Sequence, residues 1–219
     1  MRKSSTGILA DLLRGAGNLE ASTAKARIMR ITGGSGRGTK LRVPAGDRVR
    51  PTSDKVKQAL FNILGEQVSG AVFLDLYAGT GGIGIEALSR GASRAVLVDD
   101  SRKSLHVIRK NVEQTGFSHA AQIIASKAES YVRKAAERFN IVFVDPPYTQ
   151  ELKPLLELIA GSELLEPDAV VVAEHFKKQP SPETAGRLSL YREAPYGDTV
   201  LAFYKAGASG QEPEARSEK

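Results

Sequence analysis

Asp145-Pro146-Pro147-Tyr148 is the stretch of this chain best equipped for chemistry. It follows an apolar run, Ile141-Val142-Phe143-Val144, whose β-branched and aromatic residues predict a buried strand. Two consecutive prolines lack the amide hydrogens that a central strand needs, so the strand must stop at Asp145. A carboxylate, a rigid turn and an aromatic ring then stand at the carboxyl edge of a sheet, where ligands bind in open α/β folds. The prolines also release neighbouring carbonyls from ladder pairing. An acid, free carbonyls and a flat ring suit a planar group that bears an amine, such as a nucleobase. A stiff strand end with a capping aromatic is the plainer reading of the same four residues, and the rest of the chain has to decide between the two.

A second candidate is Asp75-Leu76-Tyr77-Ala78-Gly79-Thr80-Gly81-Gly82-Ile83-Gly84. Gly79, Gly81 and Gly84 satisfy G-x-G-x-x-G between a predicted strand and a predicted helix. Glycines there permit a tight turn and close approach of backbone to ligand. Asp99 lies 20 residues after Gly79, at the end of the next predicted strand, placed to bind ribose hydroxyls. Dinucleotides and S-adenosylmethionine both use this geometry. A carboxylate at Asp75 would repel a pyrophosphate and suits the ammonium end of S-adenosylmethionine. An amine-gripping turn has no use in hydride transfer, which sets a nicotinamide cofactor further back.

These motifs need a scaffold, and the hydrophobic pattern supplies one. Strands are predicted at Val72–Leu76, Ala95–Val98, Gln122–Ala125, Asn140–Val144 and Ala169–Glu174. Helices are predicted at Gly84–Arg90, Ser101–Thr115, Ala128–Arg138 and Leu152–Ser162, and Leu188–Tyr191 with Thr199–Tyr204 reads as a β-pair. Repeated strand–helix units imply a mostly parallel sheet with helices on both faces. A length of 219 residues fits one domain with extensions, and 41% hydrophobic with 26% charged residues is ordinary for a globular protein. Cysteine is absent, which excludes disulfides and thiolate chemistry, and His106, His119 and His175 show no metal-ligand spacing. No apolar run is long enough to span a membrane.

Charge is concentrated at the start. Residues 1–60 carry 13 Lys/Arg against 4 Asp/Glu, whereas the remaining 159 carry 18 against 21. A basic segment on a near-neutral body is an electrostatic footprint of nucleic-acid binding. Four regions are expected. Residues 1–28 are a disordered extension ahead of the folded body, with an organellar transit peptide as the minor alternative to a cytoplasmic protein. Residues 29–57 are a basic nucleic-acid-binding arm, in which Arg30, Arg37, Lys40, Arg42, Arg48, Arg50, Lys55 and Lys57 contact phosphates and position the strand. Residues 58–205 are the catalytic domain, with Leu60 and Phe61 in its core, and 206–219 are a disordered tail.

The run Asp75 to Ala87, the segment Arg50-Pro51-Thr52-Ser53-Asp54-Lys55-Val56 followed by Ala59-Leu60-Phe61-Asn62, and the Asp145–Tyr148 turn together resemble the RsmD family. These are S-adenosylmethionine-dependent methyltransferases of the guanine N2 amine in 16S ribosomal RNA. The resemblance spans roughly Arg30 to Tyr204. The Asp-Pro-Pro-Tyr motif alone is shared with adenine-N6 and glutamine-N5 methyltransferases, and the Arg-Pro-Thr segment narrows the match. It implies a class I, Rossmann-like methyltransferase fold of seven strands. It implies a cofactor site at Asp75, Tyr77, Gly79, Thr80, Gly81, Gly84, Asp99 and Ser126, and a base held by Asp145, Pro146, Pro147 and Tyr148. The partner implied is small-subunit ribosomal RNA or the assembling particle, met by a monomer. The chain departs from the family pattern at Asp99, where Glu is common, and at Ser126-Lys127-Ala128-Glu129, where many members carry Asp or Asn to read the adenine.

In the chemistry implied, Asp145 and the Pro146 carbonyl take the two amine protons and stabilise charge growing on nitrogen. Tyr148 stacks on a base that is flipped out or unpaired. Adenine-N6 methylation of DNA or RNA is the alternative enzyme reading, although no spare segment of about 60 residues exists for DNA target recognition. A catalytically inactive RNA-binding assembly factor is the non-enzyme alternative.

Overall fold

Alternating strand-forming and helix-forming runs build one twisted sheet wrapped on both faces in the computed structural model, which describes residues 29–43, 53–147 and 149–207. Five parallel strands form its body: β3 (Val72–Leu76), β4 (Arg94–Asp99), β5 (Ala121–Ala125), β6 (Phe139–Val144) and β7 (Leu165–Phe176). Antiparallel β10 (Thr199–Ala206) pairs with β7 and with β9 (Leu188–Tyr196). With β8 (Thr184–Ala185) at the far edge, the strand order is β5-β4-β3-β6-β7-β10-β9-β8. Seven strands were expected; the eighth, β8, is a two-residue edge too short to leave a periodic signal. A separate small pair joins β1 (Met29–Arg30) to β2 (Lys40–Leu41).

Among the described residues five α-helices cover the sheet: α1 (Asp54–Leu64), α2 (Gly82–Ser89), α3 (Arg102–Thr115), α4 (Ala128–Lys134) and α5 (Leu152–Ala160). Ser53 caps α1 by accepting the Val56 amide, and Val56, Leu60, Phe61 and Leu64 form its buried stripe. Leu60 and Phe61 are therefore core residues, as expected. Helix α2 begins two residues before the expected Gly84, because Gly81 in a left-handed conformation already turns the chain into it. Helix α4 stops at Lys134 rather than Arg138, since Ala135 is already extended on the way to β6.

Alternation along the strands gives the sheet two cores. Phe73, Ile141, Phe143, Val172, Leu201 and Phe203 face one way with residues of α1, α2 and α3. Leu74, Leu76, Val142, Val144, Val171 and Ala173 face the other with α4 and α5. Both faces of the central strands β3, β4 and β6 are largely buried, which is why those strands read as nearly unbroken apolar runs.

The N-terminal basic segment differs from expectation. Within 29–43 and 53–57 it is not an arm projecting from the domain: Met29, Ile31, Leu41 and Val56 belong to the first core. The Thr32 amide and hydroxyl each donate to Glu86 at 2.7 Å, and the Ser35 amide donates to the Ser89 carbonyl at 2.8 Å. Lys57 departs furthest from the expected phosphate contact. It is fully buried, 3.5 Å from Glu86, and donates to the Arg30 carbonyl, so it cannot contact phosphate. Burial lowers its pKa, against the opposing pull of Glu86 and Asp54. A lysine in a basic run reads as a surface charge, and only the helical spacing of α1 turns it inward beside Val56. Arg48 and Arg50 lie outside the described residues.

Candidate active site

The chain leaves β3 toward β4 and β5, then returns to place β6 on the other side of β3. The loops at the carboxyl ends of β3 and β6 part at this reversal, and ligands bind at such switch points. A cleft of about 730 Å³ opens there, and Asp75, Tyr77, Gly79, Thr80, Asp99, Ser126, Asp145, Pro146 and Pro147 all line it. The two motifs, separated by some 70 residues, thus share one wall.

The glycine loop is held from behind. Tyr77, Gly79 and Gly81 have φ values of 64°, 57° and 76°, so the chain twists through the left-handed region repeatedly before α2. Asp99 accepts the Gly79 amide at 2.8 Å on one carboxylate oxygen and the Ser101 amide at 2.8 Å on the other. It stands at the end of β4 and ties the glycine loop to the start of α3. Burial raises the Asp99 pKa while those amides oppose the rise. Gly81 and Gly84 differ from expectation, because they stand behind the cleft wall rather than on it. A Cβ at Gly84 would come within 3.0 Å of Leu97 and 3.3 Å of Asp75, so this glycine lets helix and sheet pack closely.

Asp75 is 1% exposed and accepts the Gly84 amide at 2.9 Å. Burial pushes its pKa up to about 7; the Gly84 amide opposes this and Asp99 adds to it. Asp145 follows Val144, which pairs with Ala173, so the next position across the β6–β7 register is Glu174. Phe143, two residues before Asp145, pairs with Asp75. Asp75, Asp145 and Glu174 therefore share one face of the sheet. Burial, then Glu174, then Asp75 hold the Asp145 carboxyl well above its ordinary range. Pro146 is buried, Pro147 is exposed, and the Pro147 carbonyl accepts the Gln150 amide at 2.8 Å. Tyr148 lies outside the described residues.

Sequence reasoning missed Met29, Lys57, Asp100, Lys127, Glu129 and Gln150 on the cleft wall. Glu129 was within reach, since it opens the helix that follows β5. Gln150 carried a weaker signal, sitting just past a proline turn that folds back. Met29 carried none, because its place depends on docking of β1 against Thr80, whose hydroxyl donates to the Met29 sulfur at 3.0 Å.

The lining is acidic although the whole chain carries +6, for it includes Asp75, Asp99, Asp100, Glu129 and Asp145 against Lys57 and Lys127. Lys57 is already paired with Glu86. Such a donor set fits a ligand with a sulfonium and an ammonium and opposes a pyrophosphate. Outside the cleft, Arg30, Arg37, Lys40, Arg42 and Lys55 are exposed, and Arg30 pairs with Asp54 at 2.9 Å. Met29 on the cleft wall places the start of this basic surface at the cleft's edge. Among the described residues no His/Asp/Glu cluster suits a metal ion, and no helix is long and apolar enough to cross a membrane.

A family model described as conserved hypothetical protein 95 matches residues 29–205. The Bacillus subtilis protein YlbH is 42% identical over 181 residues, covering 81% of this chain and 98% of YlbH. The ribosomal RNA small subunit methyltransferase D of Escherichia coli is 34% identical over 184 residues, covering 84% of this chain and 92% of that protein. The solved structure of the Escherichia coli protein yhhF superposes with a TM-score of 0.74 at 35% identity, covering 82% of this chain and 98% of that one. An RNA methyltransferase from Salinibacter ruber, solved with S-adenosyl-L-homocysteine, shares the fold at a TM-score of 0.56 and 20% identity, covering 77% of this chain and 99% of that one.

Proposed function

From the premise that this chain belongs to the RsmD family, we propose that it transfers a methyl group from S-adenosylmethionine to the exocyclic N2 amine of a guanine in small-subunit ribosomal RNA. The observation that carries the proposal is the shared cleft: the Asp145-Pro146 turn and the Asp75–Gly79–Asp99 wall meet at one switch point in an acidic pocket. When bound, S-adenosylmethionine supplies an electrophilic methyl on a sulfonium centre. Asp75, Gly79, Thr80, Asp99 and Ser126 are the residues to hold it, with Tyr77 at its edge.

The remaining work belongs to this chain's own groups. A guanine amine is a poor nucleophile because its lone pair is delocalised into the ring. Asp145 accepts one amine proton and the Pro146 carbonyl the other, which favours a pyramidal nitrogen and stabilises the positive charge that grows there. Burial keeps the Asp145 carboxyl a strong acceptor, so it can hold the proton that the methylated nitrogen sheds. Tyr148 serves as the stacking ring, worth about 1–3 kcal/mol per base. Exposed Arg30, Arg37, Lys40, Arg42 and Lys55 bind phosphate and set the register of the RNA without reading sequence. The protein acts as a cytoplasmic monomer on naked RNA or on the assembling particle.

The test is nucleoside mass mapping of small-subunit rRNA from cells with and without the gene. One N2-methylguanosine should vanish from the deletion strain and return with the wild-type gene but not with Asp145→Ala. Loss of N6-methyladenosine instead would replace guanine by adenine as the target.

A further inference from the structure

The cleft holds a closed hydrogen-bonded triangle that the chemistry above does not use. The Tyr77 hydroxyl lies 3.1 Å from Glu129 Oε1 and 3.0 Å from Gln150 Oε1, and Gln150 Nε2 donates to Glu129 Oε1 at 2.7 Å. Its corners come from three segments. Tyr77 opens the glycine loop after β3, Glu129 sits in the first turn of α4, and Gln150 follows the proline turn after β6. All three line the cleft. Gln150 is bonded at its backbone as well, through its amide to the Pro147 carbonyl at 2.8 Å.

Two further observations set the triangle apart from a chance contact between exposed side chains. Tyr77 has φ 64°, a conformation that bulky residues rarely adopt and that persists only where the surroundings impose it. The ionisation states also suit the bonds. Burial pushes the phenol up, keeping it a neutral donor. At Glu129 burial pushes upward too, but the helix-start amide, Gln150 and Tyr77 outweigh it, so the carboxyl sits below its ordinary value as an anionic acceptor. The Tyr77 hydroxyl and both ends of the Gln150 amide are committed to one another or to Glu129. Their natural effect is on spacing rather than on direct ligand reading.

We propose that Tyr77, Glu129 and Gln150 form a strut that fixes the Asp145–Gln150 turn at a set distance from the glycine loop, and that Glu129 and Gln150 are positioning residues for methyl transfer. The proposal rests on the methyltransferase reading. The two loops hold different reactants, the cofactor on one and the amine on the other. They leave neighbouring parallel strands whose ladder ends before either loop begins, at the Leu76–Val144 pair. Nothing in the sheet itself sets their separation beyond that pair, whereas the triangle spans it. A misplacement of about 1 Å between reacting groups can cost roughly 10²-fold in rate.

The experiment compares full-length wild type with Tyr77→Phe, Gln150→Ala, Glu129→Ala and Glu129→Gln. Three quantities are read: the single-turnover rate of methyl transfer to target RNA, the cofactor Kd, and amide hydrogen exchange around Gln150 in the protein without ligands. Tyr77→Phe, Gln150→Ala and Glu129→Ala should each slow single turnover about 10–100-fold. For Gln150→Ala and Glu129→Ala the cofactor Kd should stay within about threefold, and in all three variants the amides around Gln150 should exchange faster. Glu129→Gln keeps an oxygen acceptor and should recover most of the rate. The double variant Tyr77→Phe/Gln150→Ala should be little slower than its slower parent, because the strut fails as a unit. Unchanged exchange together with an unchanged single-turnover rate overturns the strut, and so does a loss that appears wholly as weaker cofactor binding. Tyr77→Phe removes one hydroxyl, and keeps the test open if Glu129→Ala folds poorly. If wild type makes no N2-methylguanosine the function reading fails on its own, while the exchange measurement still judges the strut.

Discussion

Asp145 is asked to do two things that its surroundings set against each other. It must be ionised to grip an amine, yet burial, Glu174 and Asp75 all raise its pKa. The single-turnover rate should therefore fall as pH drops through that raised value. Glu174→Gln removes a negative neighbour, so Asp145 ionises more easily and the acid limb should move to lower pH. A pH–rate profile of the two proteins under single turnover checks this, and a limb that stays in place would deny the coupling. Asp145→Ala should lower the rate at least about 10²–10³-fold while isothermal titration finds cofactor affinity within about threefold. Asp145 and Asp99 were legible in the sequence because each follows an apolar strand and precedes a turn signal. Glu174 was not, because an acid at the end of a strand becomes a neighbour of Asp145 only through the β6–β7 register.

Among the elements, the N-terminal segment separates most clearly into surface and core. Arg37, Lys40 and Arg42 are exposed around the β1–β2 pair, within reach of phosphate, with Arg42 also donating to Gln114 at 3.4 Å. Replacing all three by Ala should flatten the slope of log binding constant against log salt, by up to about 0.7 per lost contact on a single strand. Filter binding from low to moderate salt measures it, and an unchanged slope would move the RNA surface elsewhere. Lys57 belongs to the other class. Lys57→Ala leaves the buried Glu86 with Arg90 at 2.9 Å and Thr32 as its remaining partners. The cost should be about 3 kcal/mol, read as a lower urea midpoint at unchanged slope. Both kinds of residue come from one basic run, and charge counting cannot tell them apart. The stripe of Val56, Leu60, Phe61 and Leu64 is helical and readable, but which lysine falls beside it depends on where Ser53 starts the helix.

The molecule as a whole stores acidic groups in its cleft at some cost to its own stability. Asp75 is raised in the folded state from 3.8 to about 7. A group raised on folding contributes stability below its unfolded value, and loses that contribution as pH rises through the folded one. Asp145 and Asp99 are shifted in the same direction. The ligand-free protein should therefore lose stability from Asp75 between about pH 4 and pH 7, with Asp145 and Asp99 acting in the same direction, and Asp75→Asn should flatten that fall in a thermal scan across pH. A cationic cofactor favours the ionised carboxyls, so its Kd should tighten over the same rise in pH. The sequence by itself determined the longer strands and helices and the two motifs, because apolar periodicity, glycine and proline act locally on the backbone. It also settled the excess of basic charge near the start. Only the tertiary structure decided that β6 lies beside β3, which brings Asp145 to the glycine loop. It likewise turned Lys57 inward, set Gly84 behind the wall, and closed Tyr77, Glu129 and Gln150 into one triangle. Those outcomes follow from strand order and packing, which join residues far apart in the chain and leave no local trace.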